Sequence, residues 1–200
     1  FVEALKSPAI GLGLLNGTRD VVVSPDGRHV YAAGSSDDAV AVFSRNGTTG
    51  ALTLEGGVRD GVGGVDGLDG ARDLAISRDG HHVYVAGVTD EAVAVFSRDA
   101  TTGLLAGSQI VRDGVAGVSG LDGVRDVVAS PNGDFVYAVS ATDDAVVAFT
   151  RTANGQLLFL DAVLDGQAGA RLDGAFALAV SPDGKNVYVA SDAEDALSMF

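Results

Sequence analysis

The chain has 200 residues, 46% of them hydrophobic, and its 27 acidic and 13 basic residues give a formal net charge of −14. This composition predicts a globular chain with its own core, and the charge excludes nucleic acid as an expected partner and favours cations or basic proteins. Cysteine is absent, which excludes disulfides and thiolate chemistry, and no apolar run approaches the roughly 20 residues needed to cross a bilayer.

The N-terminal segment is predicted to form a single strand. Val2-Glu3-Ala4 matches Leu54-Glu55-Gly56, so the chain is expected to begin with the last strand of a unit whose first three strands are missing. Because the sequence starts at Phe1 and shows no signal peptide, we interpret it as a fragment or a processed product.

Tandem units follow this segment, each marked by a turn quartet, a tyrosine seven residues after the quartet's serine, and a motif running from alanine to phenylalanine. The quartets begin at Ser24, Ser77, Ser130 and Ser181. The tyrosines are Tyr31, Tyr84, Tyr137 and Tyr188. The motifs are Ala39–Phe43, Ala92–Phe96, Ala145–Phe149 and Ala196–Phe200. Self-similarity at a period of about 50 residues indicates a repeat architecture.

Each unit is predicted to form four strands, and the second unit, residues 71–123, illustrates the pattern. An apolar strand at Leu74-Ala75-Ile76 suits burial on both faces near a central axis. The later segments, in chain order, are a glycine turn at 77–80, strands at 82–86 and 92–96, a turn at 98–103, a more polar strand at 104–111 and a glycine- and aspartate-rich loop at 112–123. Four short antiparallel strands per unit, without a helical period, predict a β-propeller blade.

The predicted fold is therefore an all-β propeller of four-stranded antiparallel blades, with four blade-equivalents in one domain spanning 1–200 and one blade split between the termini. The repeat units are approximately 18–70, 71–123, 124–173 and 174–200 plus 1–17. The split blade could close one ring, join two chains into an eight-bladed ring, or belong to a longer propeller, and the larger rings are preferred. We expect self-association through the split blade, because open sheet edges associate.

The motifs resemble those of a known family. Ser181–Ala190, Ala92–Arg98 and Thr101–Leu105 are similar to repeats of bacterial lactonase-type seven-bladed propellers, and to surface-protein repeats named for a Tyr-Val-Thr-Asn motif. The resemblance covers essentially the whole chain and implies the propeller fold. The family includes 6-phosphogluconolactonase-like enzymes, but the matching positions are turn and core residues, and none corresponds to a catalytic residue.

Acidic residues concentrate in two sets of loops, which the family's fold would place on one face. The inter-blade loops carry the residues of a possible weak Ca²⁺ site, Asp60, Asp66, Asp69, Asp113 and Asp122. The loops between second and third strands carry candidate partner-binding residues, Asp37, Asp38, Asp90, Glu91, Asp143 and Asp144. The favoured interpretation is that these are turn-forming residues on a solvated rim, since no complete calcium-binding loop motif is present.

An Arg-Asp pair recurs at the entrance to the first strand of three units. Arg72 and Arg125 are the candidate contacts to an anionic ligand near a channel mouth, although pairing with neighbouring blades or capping of backbone groups is the favoured role of these pairs. The fourth unit has Phe176-Ala177 at this position, so the ring of charges is interrupted.

For function, the near-identity of the blades favours a non-catalytic bacterial module for binding or assembly, because a catalytic site needs differing residues from several blades. The alternative is a lactonase-like hydrolase of a small sugar lactone, which only the resemblance supports. We expect an extracellular or cell-surface location, with the periplasm as a further option, and no cofactor besides possible Ca²⁺.

Overall fold

A computed structural model describes residues 13–200, and all four predicted units are present as antiparallel β-sheets. The predicted N-terminal strand at Val2-Glu3-Ala4 lies outside these residues. Among the described residues, no helix has the length and apolar character required to span a membrane.

The four sheets, here called blades 1 to 4, follow one another along the chain. Blade 1 contains β1 (Thr18–Val23), β2 (His29–Gly34), β3 (Ala39–Arg45) and β4 (Leu52–Arg59). Blade 2 contains β5 (Ala71–Ile76), β6 (His82–Gly87), β7 (Ala92–Arg98) and β8 (Leu105–Arg112). Blade 3 contains β9 (Val124–Ala129), β10 (Phe135–Ser140), β11 (Ala145–Arg151) and β12 (Leu157–Leu164). Blade 4 contains β13 (Ala175–Val180), β14 (Val187–Ser191) and β15 (Ala196–Met199).

Each blade is a simple meander in which consecutive strands pair. The tight connection between first and second strands is built by the serine quartet. In blade 1 the Ser24 hydroxyl donates to the Asp26 carboxylate and accepts from the His29 amide, at 2.5 and 3.0 Å, while Gly27 takes the positive φ of 70° that the turn requires. The fixed turn sets the register of the strands that follow.

The hydrophobic core lies between the blades. Tyr31 and Val42 of blade 1 pack with Val83 and Phe96 of blade 2 in one cluster, and equivalent clusters join blades 2 and 3 and blades 3 and 4. Second strands such as β2 and β6 are buried along their length, whereas outer strands such as β4 alternate between half-buried and exposed. Burial on both faces explains why the second strands are almost continuously apolar. The prediction that the first strands are buried on both faces was wrong, since β5 mixes buried and half-buried positions.

The first strands contact one another in the order β1, β5, β9 and β13, so they line the inner side of an arc of blades. The arc is open among the described residues. Val21 on β1 is 59% exposed, whereas Leu74, at the same position of blade 2, is 4% exposed because blade 1 covers it. The all-β propeller-like fold with four-stranded antiparallel sheets is thus confirmed.

Candidate functional site

The two predicted sets of acidic loops do lie together at one face of the arc. Backbone N–H groups of the inter-blade loops donate to carboxylates of the loops between second and third strands. The pairs are Asp69 to Asp90 at 2.9 Å, Asp122 to Asp143 at 3.0 Å, Gly70 to Asp38 at 2.9 Å and Gly174 to Asp144 at 2.8 Å. The last two pairs connect neighbouring blades, so these carboxylates hold the loops of the face in place.

The local backbone supports this turn-forming role. Asp38, Glu91 and Asp144 adopt left-handed φ values of 51°, 52° and 50°, a conformation that favours short polar residues. Asp37 accepts a hydrogen bond from the Asn16 amide at 2.7 Å and lies 3.6 Å from the Arg59 guanidinium. Binding of a partner by these residues stays a prediction.

Three carboxylates of this face come close enough to share a cation. Oxygens of Asp60, Asp66 and Asp90 lie within 4.8 Å of one another. Arg112 Nη2 already donates to Asp66 and Asp90, at 3.1 and 3.0 Å, so a guanidinium supplies positive charge where Ca²⁺ would bind. The structure therefore combines two of the predicted calcium residues with Asp90, which the sequence assigned to partner binding.

The other predicted calcium residues lie outside that group. Asp113 lies in the next inter-blade loop, where its carboxylate accepts from the Leu121 amide at 3.0 Å, and Asp122 lies beside Asp143. Burial, with the negative charges of Asp38 and Asp90, raises the pKa of Asp69. Calcium binding on this face stays a prediction.

A polar cavity of about 290 Å³ lies where the first strands of the blades converge, and we call it the channel mouth. Its lining residues are Arg19, Asp20, Arg72, Asp73, Arg125, Asp126 and Phe176. The recurring Arg-Asp pairs therefore come together as the sequence predicted, and Phe176 breaks their ring in blade 4. Burial and the nearby charges of Arg125 and Arg19 lower the pKa of Arg72. Crowded guanidinium groups in a cavity are suited to an anionic or carbonyl oxygen.

The aspartates of these pairs clamp the next blade. The Asp20 carboxylate accepts from the Leu74 amide at 3.1 Å, and Asp73 accepts from the Val127 amide at 2.9 Å. The third contact, from the Leu178 amide to Asp126, measures 2.7 Å. The favoured role as backbone caps is confirmed for the aspartates, and the arginine side chains are left to line the cavity.

Asp73 and Asp126 are two carboxyl groups that line the channel mouth together. Burial and the negative charge of Asp126 raise the pKa of Asp73 to about 8, and burial also raises the pKa of Asp126. Two negative charges that face one another in a half-buried cavity repel, which favours the protonated form of one of them. Such a pair can donate or accept a proton beside the arginines.

Sequence reasoning missed a second interblade feature, which we call the arginine latch. Arg98 of blade 2, with a side chain only 2% exposed, crosses to blade 1. Its guanidinium donates to the Tyr31 hydroxyl at 2.7 Å, to the Asp26 carboxylate at 2.8 Å and to the His29 Nδ1 at 2.7 Å. Within its own blade it donates to the Gly80 carbonyl at 2.9 Å.

Burial and hydrogen bonding in the latch shift the pKa values of its side chains. Although burial acts in the opposite direction, hydrogen bonds from Ser24 and Arg98 lower the pKa of Asp26. Burial and Arg98 lower the pKa of His29, which keeps the imidazole neutral and able to accept. Burial raises the pKa of Tyr31. The same geometry recurs one blade further, where Arg151 contacts Tyr84, Asp79 and His82.

The chain matches the sequence model of the seven-bladed β-propeller lactonases over residues 14–114 and 109–200. It is 34% identical over 88 residues to a 6-phosphogluconolactonase of Formosa agariphila, an alignment covering 43% of this chain and 23% of that protein. A candidate 6-phosphogluconolactonase of Bacteroides fragilis superposes with a TM-score of 0.75 at 25% identity, over 92% of this chain and 50% of the other. The periplasmic gluconolactonase of Pseudomonas aeruginosa gives 0.74 and 27%, over 92% and 49%.

The aligned segment thus covers about a quarter of the curated relative, and the chain spans about half of these solved structures. The family match overturns the expectation of a non-catalytic module and of a protein that is not an enzyme, since the relatives carry enzyme names. Near-identical blades were a poor argument against catalysis, because the repeated residues build the turns and the latch while the channel mouth still differs at Phe176-Ala177. The chain belongs to the seven-bladed β-propeller lactonase family.

Proposed function

We propose that this chain is part of a hydrolase that opens a small sugar lactone at the channel mouth. The family match carries this proposal, and the cavity supplies suitable chemistry beside it. Arg72 and Arg125 line the cavity together with the carboxyls Asp73 and Asp126. The chain covers about half of its structural relatives, so the remainder of a complete ring would contribute further lining.

The proposed roles follow from what lactone hydrolysis requires. Water attacks the lactone carbonyl, whose oxygen becomes an oxyanion, and the ring oxygen then leaves with a proton to give a hydroxy acid. Guanidinium groups of Arg72 and Arg125 stabilise the oxyanion. The Asp73–Asp126 pair accepts the proton from the attacking water and returns one to the leaving oxygen, a role suited to carboxyls that exchange a proton near neutral pH.

A pH-stat assay tests this proposal directly. The purified protein is mixed with glucono-δ-lactone or with its 6-phosphate ester, and acid release is compared with the spontaneous rate in buffer. We expect a saturable rate above background, and the arginine-lined cavity favours the phosphorylated lactone. A rate equal to buffer for both lactones contradicts the proposal.

Further proposals concern the whole protein. The three-stranded blade 4 and the sequence match at residues 2–4 support one blade split between the termini. The similarity to a periplasmic gluconolactonase supports a location outside the cytoplasm. Fractionation of cells expressing the native gene tests the location, and recovery with cytoplasmic markers contradicts it.

A further inference from the structure

Each of the two arginine latches contains a buried histidine. His29, between blades 1 and 2, is 3% exposed, and His82, between blades 2 and 3, is 9% exposed. Blade 3 has Phe135 and blade 4 has Asn186 at the equivalent position, so the histidines mark the two interfaces of blade 2. The chain contains three histidines, and the third, His81, is exposed beside its buried neighbour.

The geometry of the latch fixes the protonation state that each buried histidine needs. The Nη2 atom of Arg98 lies 2.7 Å from Nδ1 of His29, and Nη2 of Arg151 lies 3.0 Å from Nδ1 of His82. A guanidinium only donates hydrogen bonds, so both Nδ1 atoms must be unprotonated in order to accept. Protonation of Nδ1 would point two cationic donors at each other in a buried site, which carries a large cost in free energy.

The groups around His29 favour the neutral ring. Burial and the positive charge of Arg98 lower the pKa of His29, and the charge of Arg28 acts in the same direction. The carboxylates of Asp26 and Glu55 act in the opposite direction but more weakly than burial and Arg98. The folded protein therefore resists protonation of this histidine.

His82 has the same surroundings one blade further. Burial and the positive charge of Arg151 lower the pKa of His82, and His81 acts in the same direction. The Asp79 carboxylate and a backbone hydrogen bond with Asn154 act in the opposite direction, again more weakly than burial and Arg151. Both latches therefore share one response to acid.

The backbone of the following blade leaves neither ring room to turn away from its arginine. Gly103 of blade 2 packs on the His29 ring, and Gly155 of blade 3 packs on the His82 ring, so closely that a Cβ added to either glycine would overlap the imidazole. A protonated ring can escape the guanidinium only if the two blades separate locally.

We propose that the latches are an acid-sensitive device, in which protonation of His29 and His82 breaks their bonds to arginine and loosens blade 2 from both of its neighbours. The unfolded chain binds protons that the folded latches exclude. The contribution of each latch to stability is therefore complete above about pH 6.5, the ordinary pKa of histidine, and is lost as the pH falls below it. Because the latches follow the turns that end the first strands, they lie at the opposite end of those strands from the channel mouth.

A matched set of histidine variants tests the proposal. Urea unfolding is measured at about pH 7 and about pH 5 for the unaltered protein, for the double variant His29→Asn/His82→Asn and for His81→Asn. Asparagine keeps an acceptor for the arginine and does not take up a proton. Relative to the double variant, we expect acid to increase the unfolding constant of the unaltered protein by up to about 25-fold for each histidine. The opposite contribution of Asp73 is present in all three proteins and cancels in this comparison.

The control variant and hydrogen exchange identify the source of the response. His81→Asn makes the same chemical change at an exposed position, so its acid response is expected to equal that of the unaltered protein. In the unaltered protein, amides of residues 24–31 and 98–104 are expected to exchange faster at about pH 5 than at about pH 7, after correction for the intrinsic rates, and the double variant is expected to lose this difference.

Three outcomes overturn the proposal. They are an acid response that persists in the double variant, a response that disappears in His81→Asn, and exchange at residues 24–31 and 98–104 that does not increase in acid. The exchange measurement on the unaltered protein decides the question even where the double variant does not fold. Lactone hydrolysis enters neither measurement, so the result is independent of the proposed activity.

Discussion

Removing Arg98, the arginine of the latch between blades 1 and 2, is expected to destabilise the fold far more than removing Arg45, whose hydrogen-bond partner within residues 13–200 is one carbonyl. Arg98→Met keeps the apolar stem but deletes a guanidinium that is bonded to Tyr31, Asp26, His29 and Gly80. Tyr31 keeps its bond to Gly103, and Asp26 is partly hydrated, so the His29 Nδ1 and the Gly80 carbonyl bear most of the loss. We expect a loss of about 3 kcal/mol in the free energy of unfolding, near the lower end for breaking a buried ion pair.

Arg45→Met is the matched control, because Arg45 holds the same position in its blade and, in the part of the chain that the structure describes, has a single bond, to Gly27. Its expected cost is below about 1 kcal/mol, as for an ordinary surface change. Urea unfolding followed by circular dichroism compares both variants with the unaltered protein. Equal losses for the two variants, or a loss below about 1 kcal/mol for Arg98→Met, would refute the latch.

Two other predictions concern the carboxyl pair and the turn glycines. Because the pKa of Asp73 is raised to about 8 in the folded state, the folded protein holds a proton that the unfolded chain has lost, so its stability falls as pH rises from about 4 to about 8. Asp73→Asn keeps an acceptor for the Val127 amide and removes this titration. The free energy of unfolding from urea titrations is expected to vary less across that range and to exceed that of the unaltered protein by about 1–3 kcal/mol near pH 8. An unchanged pH slope contradicts the shared proton. Gly103→Ala places a Cβ 2.3 Å from the His29 ring at a φ of 77°, whereas Gly50→Ala has the same φ and open space. We expect thermal unfolding to show that Gly50→Ala lowers the free energy of unfolding by about 1 kcal/mol and that Gly103→Ala lowers it by several kcal/mol more. Equal losses would mean that the His29 ring moves aside to make room for the added Cβ.

The fold was predictable because local signals repeat in register. Each serine quartet fixes a turn, and apolar runs before and after it mark strands whose bounds the structure moves by only a few residues, as with Leu74-Ala75-Ile76 inside the longer β5. Convergence of the Arg-Asp pairs followed from their common place at the entrance to first strands.

The latch and the acidic cluster were not predicted, because their contacts join different repeats. Arg98 meets Tyr31 across 67 residues, and the repeat shows that the positions are equivalent without showing which neighbour each one touches. The recurrence of Arg45, Arg98 and Arg151 after the phenylalanine motif was the available signal. Asp90 joins Asp60 and Asp66 because the loop between β6 and β7 folds over the inter-blade loop, a contact that spacing alone does not reveal.

The functional preference was wrong for a related reason. The uniform blades were taken to indicate a scaffold. However, the repeated residues are those that form the contacts between blades, so their uniformity has a structural cause. The side chains that face the channel mouth, Arg72, Arg125 and Phe176 among them, form a mixed cavity despite the repeat. The match to the lactonase family is the reason that we now favour a catalytic role over a binding role.

The most direct test of the account measures kcat/KM for lactone hydrolysis in Arg72→Met and Arg28→Met, which remove one arginine each from the channel mouth and from an exposed turn. If the guanidinium of Arg72 stabilises the oxyanion, we expect kcat/KM to fall about 100-fold or more in Arg72→Met and to stay within about twofold of the unaltered protein in Arg28→Met. Equal activity in the two variants, with both folded, would contradict the assignment of the channel mouth as the hydrolytic site.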